Sequence, residues 1–192
     1  MLFRSFLRDQ TAIFIPKGYY VVLEVHYLGN GKEDEEQTKI QFYGYPEGKK
    51  PAGLKRIRYF WTITTEMEIP PGTRDFVVPT KSVRIQKNMR IVTLLAHLHM
   101  RGTAARLIMT DPQGRERIVT SIPNFDFNWQ SGAKLEPDPP IFVPAGSRLR
   151  AECTYDNSAQ NPRNPDPEKF IKHGQTLDRA EMCKFMIAYY EE

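Results

Sequence analysis

The chain has 192 residues and a net charge of +4, with 12 glycines, 15 prolines and 11% aromatic residues. This composition favours a protein with many turns and few long helices. No apolar stretch approaches the ~20 residues of a membrane span, so no membrane-spanning helix is expected. The densest basic cluster, Lys55-Arg56-Ile57-Arg58, has no zinc-finger spacing or RNA-binding signature beside it, so nucleic acid is not expected as a partner.

Short β-prone runs separated by turn residues follow one another along the chain. Residues 1–15 show no clear pattern and are expected to be irregular. The next run, Tyr19–Tyr27, has Tyr19, Val21 and Leu23 on the face expected to be buried. The later predicted strands are Thr38–Tyr45, Tyr59–Met67, Phe76–Pro79, Ser82–Ile85, Asn88–Met100, Ala104–Thr110, Glu116–Ser121, a short one at Phe142-Val143, Arg148–Tyr155 and Met182–Tyr190. This spacing predicts an all-β fold, an antiparallel β-sandwich or jelly roll of roughly 8–10 strands.

Two of the four histidines, His97 and His99, stand one residue apart at the end of an apolar β-type run. Side chains at positions i and i+2 of a strand share a face, so both imidazoles could point at one metal ion. A third histidine, a cysteine or a carboxylate would favour zinc, whereas a thioether would favour copper. The pair alone leaves zinc, copper and no metal open. The candidates for a third ligand are the carboxylates, His26, His173, Met182, Cys153 and Cys183.

The chain has two cysteines, Cys153 and Cys183, which form either one disulfide or two free buried thiols. A disulfide would indicate export, because cytosolic proteins rarely keep one. The first residues do not resemble a signal peptide, since their apolar run is short and is interrupted by Arg4 and Arg8. We therefore expect either a cytosolic protein or part of a longer exported one.

Several motifs together resemble the copper type II, ascorbate-dependent monooxygenases, and in particular their C-terminal domain. The motifs are His97-Leu98-His99, Glu181-Met182-Cys183, the terminal Tyr189-Tyr190, the LEVHY segment at residues 23–27 and the IPPG turn at residues 69–72. Their order agrees with the family from about residue 16 to residue 190. Residues 16–192 are therefore expected to form one copper monooxygenase C-terminal-type domain. The segments at 124–130 and 155–167 resemble the bacterial branch of the family.

The resemblance implies two copper ions and an exported protein. The copper that binds O2 would be held by His97, His99 and Met182. The copper that passes electrons would take His26 as one ligand and its other two from a preceding domain, or from a partner chain that replaces it; the third alternative is that this second copper is absent. The resemblance also implies a Cys153–Cys183 disulfide, a reductant such as ascorbate, and hydroxylation of a C–H bond in a small organic substrate.

The sequence also departs from the family. Where the peptide-amidating enzyme binds a peptide carboxylate with Arg, Asn and Tyr, this chain has Leu95, Lys184 and Met186, so a peptide C terminus is not the expected substrate. Arg179-Ala180 looks inserted before Glu181. His173 matches no family role and is expected to be a surface residue or a neighbour of the site. Two other functions stay open: a copper-binding or copper-handling sandwich without turnover, and a structural sandwich that binds no metal.

Overall fold

The computed structural model describes residues 10–23, 31–33, 35–46, 48–129 and 134–192. The chain divides into two compact units, Met1–Lys55 and Arg56–Glu192. In the first unit, Thr11–Ile13 form strand β1, inside the segment expected to be irregular. Among the described residues, no helix is long and apolar enough to cross a membrane.

The second unit consists of strands joined by turns. Its strands are β2 (Lys55–Thr64, which begins at the boundary), β3 (Glu68–Ile69), β4 (Phe76–Pro79), β5 (Val83–Arg84), β6 (Met89–His97), β7 (Gly102–Thr110), β8 (Glu116–Ile122), β9 (Lys134–Leu135), β10 (Ile141–Val143), β11 (Arg148–Tyr155), β12 (Ile171–Lys172) and β13 (Cys183–Glu191). The described part of the chain contains no α-helix. The predicted all-β fold is therefore confirmed.

The strands of the second unit form two large antiparallel sheets and a small one, in which β12 pairs with β3. The first has the order β2-β13-β6-β10, with β9 also paired to β6, and the second has the order β4-β11-β7-β8, with β5 paired to β11. Alternate residues of β11, Leu149 among them, and of β13, Phe185 among them, are fully buried and belong to one core cluster. Because side chains alternate between the two faces of a strand, each sheet turns one apolar face towards this shared core. The fold is a β-sandwich.

A disulfide connects the two sheets. Cys153 of β11 and Cys183 of β13 are bonded with an S–S distance of 2.01 Å and are 30 residues apart in sequence. This confirms the disulfide that the family resemblance implies. Closing a loop of this length removes unfolded-state entropy worth about 3–4 kcal/mol in the chain-entropy model. The bond also fixes the start of β13, immediately after Met182.

Both early strand predictions are wrong in the residues that the structure describes. Residues 19–23 and 38–45 are not in strands. The face expected to be buried is open to solvent, with exposed fractions of 72% for Tyr19 and 54% for Val21. A strand needs a hydrogen-bonded neighbour and a layer that covers its apolar face, and local β-propensity supplies neither. The remainder of the first predicted strand, residues 24–27, lies outside the described residues.

The long loop at residues 156–168 is ordered by its own polar side chains. Asn157 is fully buried, and its Nδ2 donates hydrogen bonds of 2.9 Å to the carbonyl oxygens of Pro70 and Lys169. The backbone N–H of Gly72 donates to the carbonyl oxygen of Asn157 at 3.1 Å. Asn157 therefore fastens the IPPG turn to this loop.

Replacing Asn157 with alanine should lower the free energy of unfolding by about 1–3 kcal/mol, because two partly buried carbonyl groups lose their donor. Urea unfolding of the metal-free protein measures the loss. Asn124→Ala is the matched control, since Asn124 is exposed and should change stability little. Equal losses in the two variants would contradict the role of Asn157.

Candidate metal centre

The two histidines of the His-x-His motif lie side by side, as predicted. Strand β6 ends at His97 and not at Met100, so His99 lies in the turn that follows. The two imidazole rings are 5.3 Å apart between centroids and nearly perpendicular, at 84°. His99 is almost fully buried, with 1% exposed, whereas His97 is half-buried at the surface of the sheet.

In the turn after His99, there is no space for a side chain at Gly102. The Gly102 N–H donates to the carbonyl oxygen of His99 at 3.2 Å. A Cβ added at Gly102 would lie 2.6 Å from the Cβ of Leu98, the residue between the two histidines. Glycine at this position is therefore required for the chain to turn back tightly below the histidine pair.

The register of β6 and β13 brings the Met182 segment to His99. Lys184 pairs with His97 in this antiparallel ladder. Continuing the same register by two residues sets Met182 opposite His99, just beyond the ends of both strands. His99 Nδ1 lies 3.0 Å from the carbonyl oxygen of Ala180, and Met182 is 2% exposed. Ala180, which looks inserted in the sequence, is thus a direct partner of a predicted ligand.

The fully buried carboxylate of Glu181 joins the two segments. Its Oε2 accepts the backbone N–H of His99 at 2.8 Å and that of Met182 at 3.4 Å, and its Oε1 accepts the N–H of Arg101 at 2.7 Å. Burial raises the pKa of Glu181 from 4.5 to about 7, and the three N–H donors and the charge of Arg101 oppose this rise. One side chain thus holds the His99 turn and the Met182 segment together.

His99 is a neutral imidazole at physiological pH. Burial lowers its pKa from 6.5 to about 4, the hydrogen bond to Ala180 opposes the shift, and electrostatic repulsion, that of the Lys184 ammonium group included, adds to it. Because a carbonyl oxygen only accepts, Nδ1 carries the ring proton in this hydrogen bond. Nε2 therefore keeps its lone pair, which is the state that a metal ligand needs.

Three residues that sequence reasoning missed or placed loosely support the site. Arg101 is fully buried, and its guanidinium donates to Asn164 Oδ1 and to the carbonyl oxygen of Asp178, both at 2.8 Å. The Tyr155 hydroxyl donates to the carbonyl oxygen of Met182 at 2.8 Å. The backbone of His173 pairs with that of Glu181, which places this histidine beside the site. No sequence pattern predicted that Arg101 is buried or that Tyr155 contacts Met182.

The β-sandwich carries a His-x-His turn beside a methionine-containing segment, and imidazole and thioether groups are donor types that favour copper. Residues 57–192 match the model of the copper type II ascorbate-dependent monooxygenase family, C-terminal domain. The chain belongs to this family, and the resemblance drawn from its motifs is confirmed. Its placement in the bacterial branch stays a prediction.

Human "DBH-like monooxygenase protein 1" is 25% identical to the chain over 186 residues, which cover 90% of this chain and 28% of the human protein. The chain therefore spans little more than a quarter of the length of this relative. The family match begins at residue 57, close to the start of the second compact unit at Arg56.

Gly102→Ala should destabilise the protein by about 1–3 kcal/mol, because the added methyl group overpacks against Leu98. Thermal unfolding measures the effect. Gly44→Ala is the control, since an added Cβ there meets no atom within 4 Å. A Gly102→Ala protein as stable as the control would show that the turn accommodates a side chain.

The metal-free protein should also show the titration of Glu181. A pKa raised to about 7 stabilises the folded state below the ordinary pKa, and this contribution is lost as the pH rises through 7. The stability of the wild type relative to Glu181→Gln should therefore fall between about pH 5 and pH 8. Glu68→Gln, at an exposed position, is the matched control. A flat profile for Glu181→Gln would contradict the raised pKa.

Proposed function

We propose that His97, His99 and Met182 hold the O2-binding copper of a monooxygenase that hydroxylates a C–H bond in an ascorbate-dependent reaction. The observation that supports this proposal is the β6–β13 register, in which Lys184 pairs with His97, so that the same register continued by two residues would set Met182 opposite His99. Two imidazoles and a thioether form a donor set that favours copper, because soft sulfur ligands select Cu(I).

The residues at the site fit such an ion. The lone pair of His99 Nε2 is free of the Ala180 hydrogen bond. Within the described ranges, His, Cys, Asp and Glu side chains nowhere gather in a group of three that could hold a metal. A third ligand from this part of the chain would thus be a different donor type, and the thioether of Met182 is in the right segment.

The surrounding residues fix the ligands before any metal binds. Glu181 holds the His99 turn to the Met182 segment, Tyr155 holds the Met182 carbonyl, and the Cys153–Cys183 disulfide anchors the next residue. Copper bound there would supply O2 binding and one-electron chemistry, which side chains lack. His97, at the half-exposed end of β6, leaves that side of the site open to a substrate.

The electron-passing copper and its domain are also part of the proposal. His26, its proposed ligand in this chain, lies outside the described residues. The two other ligands would come from a preceding domain or a partner chain, and ascorbate or another reductant would supply the electrons. The proposed C-terminal-type domain covers residues 16–192, of which the family match covers 57–192.

We also propose that the protein works outside the cytosol. The Cys153–Cys183 disulfide supports this, since such bonds persist in oxidising compartments. This chain has Leu95, Lys184 and Met186 where the peptide-amidating enzyme has Arg, Asn and Tyr, which supports a substrate other than a peptide C terminus.

Met182→Leu tests the ligand set with little change of shape. Loss of the thioether should weaken Cu(I) binding more than tenfold, since a ligand matters at least as much as the residues that orient it, whose loss costs about 10–100-fold. Competition with a chromogenic Cu(I) chelator measures the affinity. Met109→Leu, in the core, is the control, and His97→Ala should lose affinity as Met182→Leu does.

Unchanged Cu(I) affinity in both Met182→Leu and His97→Ala would contradict the site. Ascorbate-dependent oxygen uptake then separates the monooxygenase from a copper-handling protein. One tightly bound copper without such uptake, in the full-length protein with its preceding domain, would favour copper handling.

A further inference from the structure

The small sheet formed by β3 and β12 brings a methionine and a histidine close together. Lys172 of β12 pairs with Glu68 of β3. The same antiparallel register continued by one residue would set His173 opposite Met67. Directly opposed residues of an antiparallel pair project from the same face, with Cα atoms about 4.5–5.5 Å apart. The thioether of Met67 and the imidazole of His173 are therefore within reach of one metal ion.

Both side chains point towards the interior. Ile69 and Ile171 of the same sheet are fully buried, at 0% and 2% exposed. Because side chains alternate between the two faces of a strand, Met67 and His173, each two residues from one of these isoleucines, share their face. Met67 is 7% exposed and belongs to the main core cluster. His173 is half-buried, so an ion in solution reaches the pair from the histidine side.

The imidazole of His173 has an uncommitted nitrogen. Its Nδ1 is buried and has no hydrogen-bond partner among the residues that the structure describes. Buried polar atoms without a partner are rare, because nothing compensates for the water that they lose. In the tautomer with the ring proton on Nε2, Nδ1 carries a lone pair, and a bound metal ion would satisfy it.

The polar groups beside His173 are already engaged. The backbone of His173 pairs with that of Glu181, whose carboxylate accepts three backbone N–H groups. Cys183 is bonded to Cys153 and offers no thiolate. Burial is the main cause of the low pKa of His99, and an electrostatic interaction with His173 adds to it, so the two imidazoles are neighbours. These groups leave the lone pair of His173 Nδ1 to another partner.

We propose that Met67 Sδ and His173 Nδ1 form an accessory site for one Cu(I) ion, separate from the ligands His97, His99 and Met182. We call the two residues the accessory pair. A thioether selects a soft ion, whereas Mg²⁺ and Ca²⁺ take oxygen ligands and Zn²⁺ takes four ligands. Cu(I) accepts two donors in a line, so one thioether and one imidazole suffice. The proposal goes beyond the proposed function and stands whether or not the candidate metal centre binds copper.

Ag(I), a redox-inert ion with the same preference for sulfur and nitrogen, tests the accessory pair in the full chain. NMR spectra that correlate imidazole protons with ring nitrogens report on the four histidines, and His173→Gln identifies the signals of His173. Addition of Ag(I) should shift the Nδ1 resonance of His173 and the methyl resonance of Met67 in parallel. A His173 Nδ1 resonance that Ag(I) does not shift would overturn the proposal.

Met67→Leu removes the thioether with little change of volume. The affinity for Ag(I), read from the His173 signal, should fall more than tenfold, since loss of a residue that only orients a ligand already costs about 10–100-fold. Met109→Leu, at another buried methionine, should leave the affinity unchanged. His173→Gln gives the reciprocal test if Met67→Leu does not fold, because Ag(I) should then no longer shift the Met67 methyl. Equal affinity in wild type and Met67→Leu, or a Met67 methyl that still responds in His173→Gln, contradicts the accessory pair.

Met182→Leu separates the accessory pair from the candidate metal centre. A response of His173 that persists in Met182→Leu supports a site of its own. Loss of the response there would show that His173 shares the ion of the candidate metal centre, and the accessory site would be wrong. If the signals of His97 and His99 ignore Ag(I) while those of the accessory pair shift, the accessory site stands and the proposed copper centre fails.

Discussion

The candidate metal centre depends on one buried carboxylate that receives backbone hydrogen bonds from two distant parts of the chain. Glu181 accepts N–H groups of His99 and Arg101 on one side and of Met182 on the other. Burial of an ionised carboxylate is costly unless donors surround it, and here the backbone itself supplies them. The distance between the His99 turn and the thioether segment is therefore set by main-chain hydrogen bonds and not by a metal.

The same constraint extends outward through polar contacts. The Arg101 backbone is bound to Glu181, its guanidinium is bound to Asn164, and Asn164 Nδ2 donates to Asn157 Oδ1 at 2.9 Å. Asn157 in turn holds the IPPG turn. The long loop therefore links the His99 turn to the IPPG turn at residues 69–72. Its asparagines are structural, because their side chains satisfy backbone groups that no strand pairs.

Sequence patterns predicted most of the long strands of the second unit, because β-prone residues in these strands are bordered by turn residues. Phe76–Pro79 and Arg148–Tyr155 were predicted with the bounds that the structure has, since each is bordered by turn residues, and the second also alternates between polar and apolar residues. The early runs at 19–23 and 38–45 have the same β-propensity but no strand pairing in the described residues. Pairing and cover are properties of the fold and cannot be read from a local window.

The sequence predicted the ligand motifs of the candidate site but not the residues that hold those ligands in place. The His-x-His spacing and the family motif around Met182 are local patterns. The roles of Glu181, Arg101 and Tyr155 depend on residues about 27–82 positions apart meeting in space. Such contacts follow from the β6–β13 register, which no spacing along the chain encodes. The apparent insertion at Ala180 has a function only in this context, as the acceptor for His99.

Successive residues of β13 point to opposite faces of the sheet, so inward residues pack the core while outward residues form the outer surface. Cys183, Phe185 and Ile187 point inward and are fully buried, so their shapes are tied to the packing of both sheets. Lys184 and Met186 point outward and are half-buried, as is Leu95, which pairs with Met186. Because adjacent residues face opposite sides, the outward set diversifies without repacking the interior. The outward residues of this one strand are thus free to change while the inward residues keep the packing of both sheets.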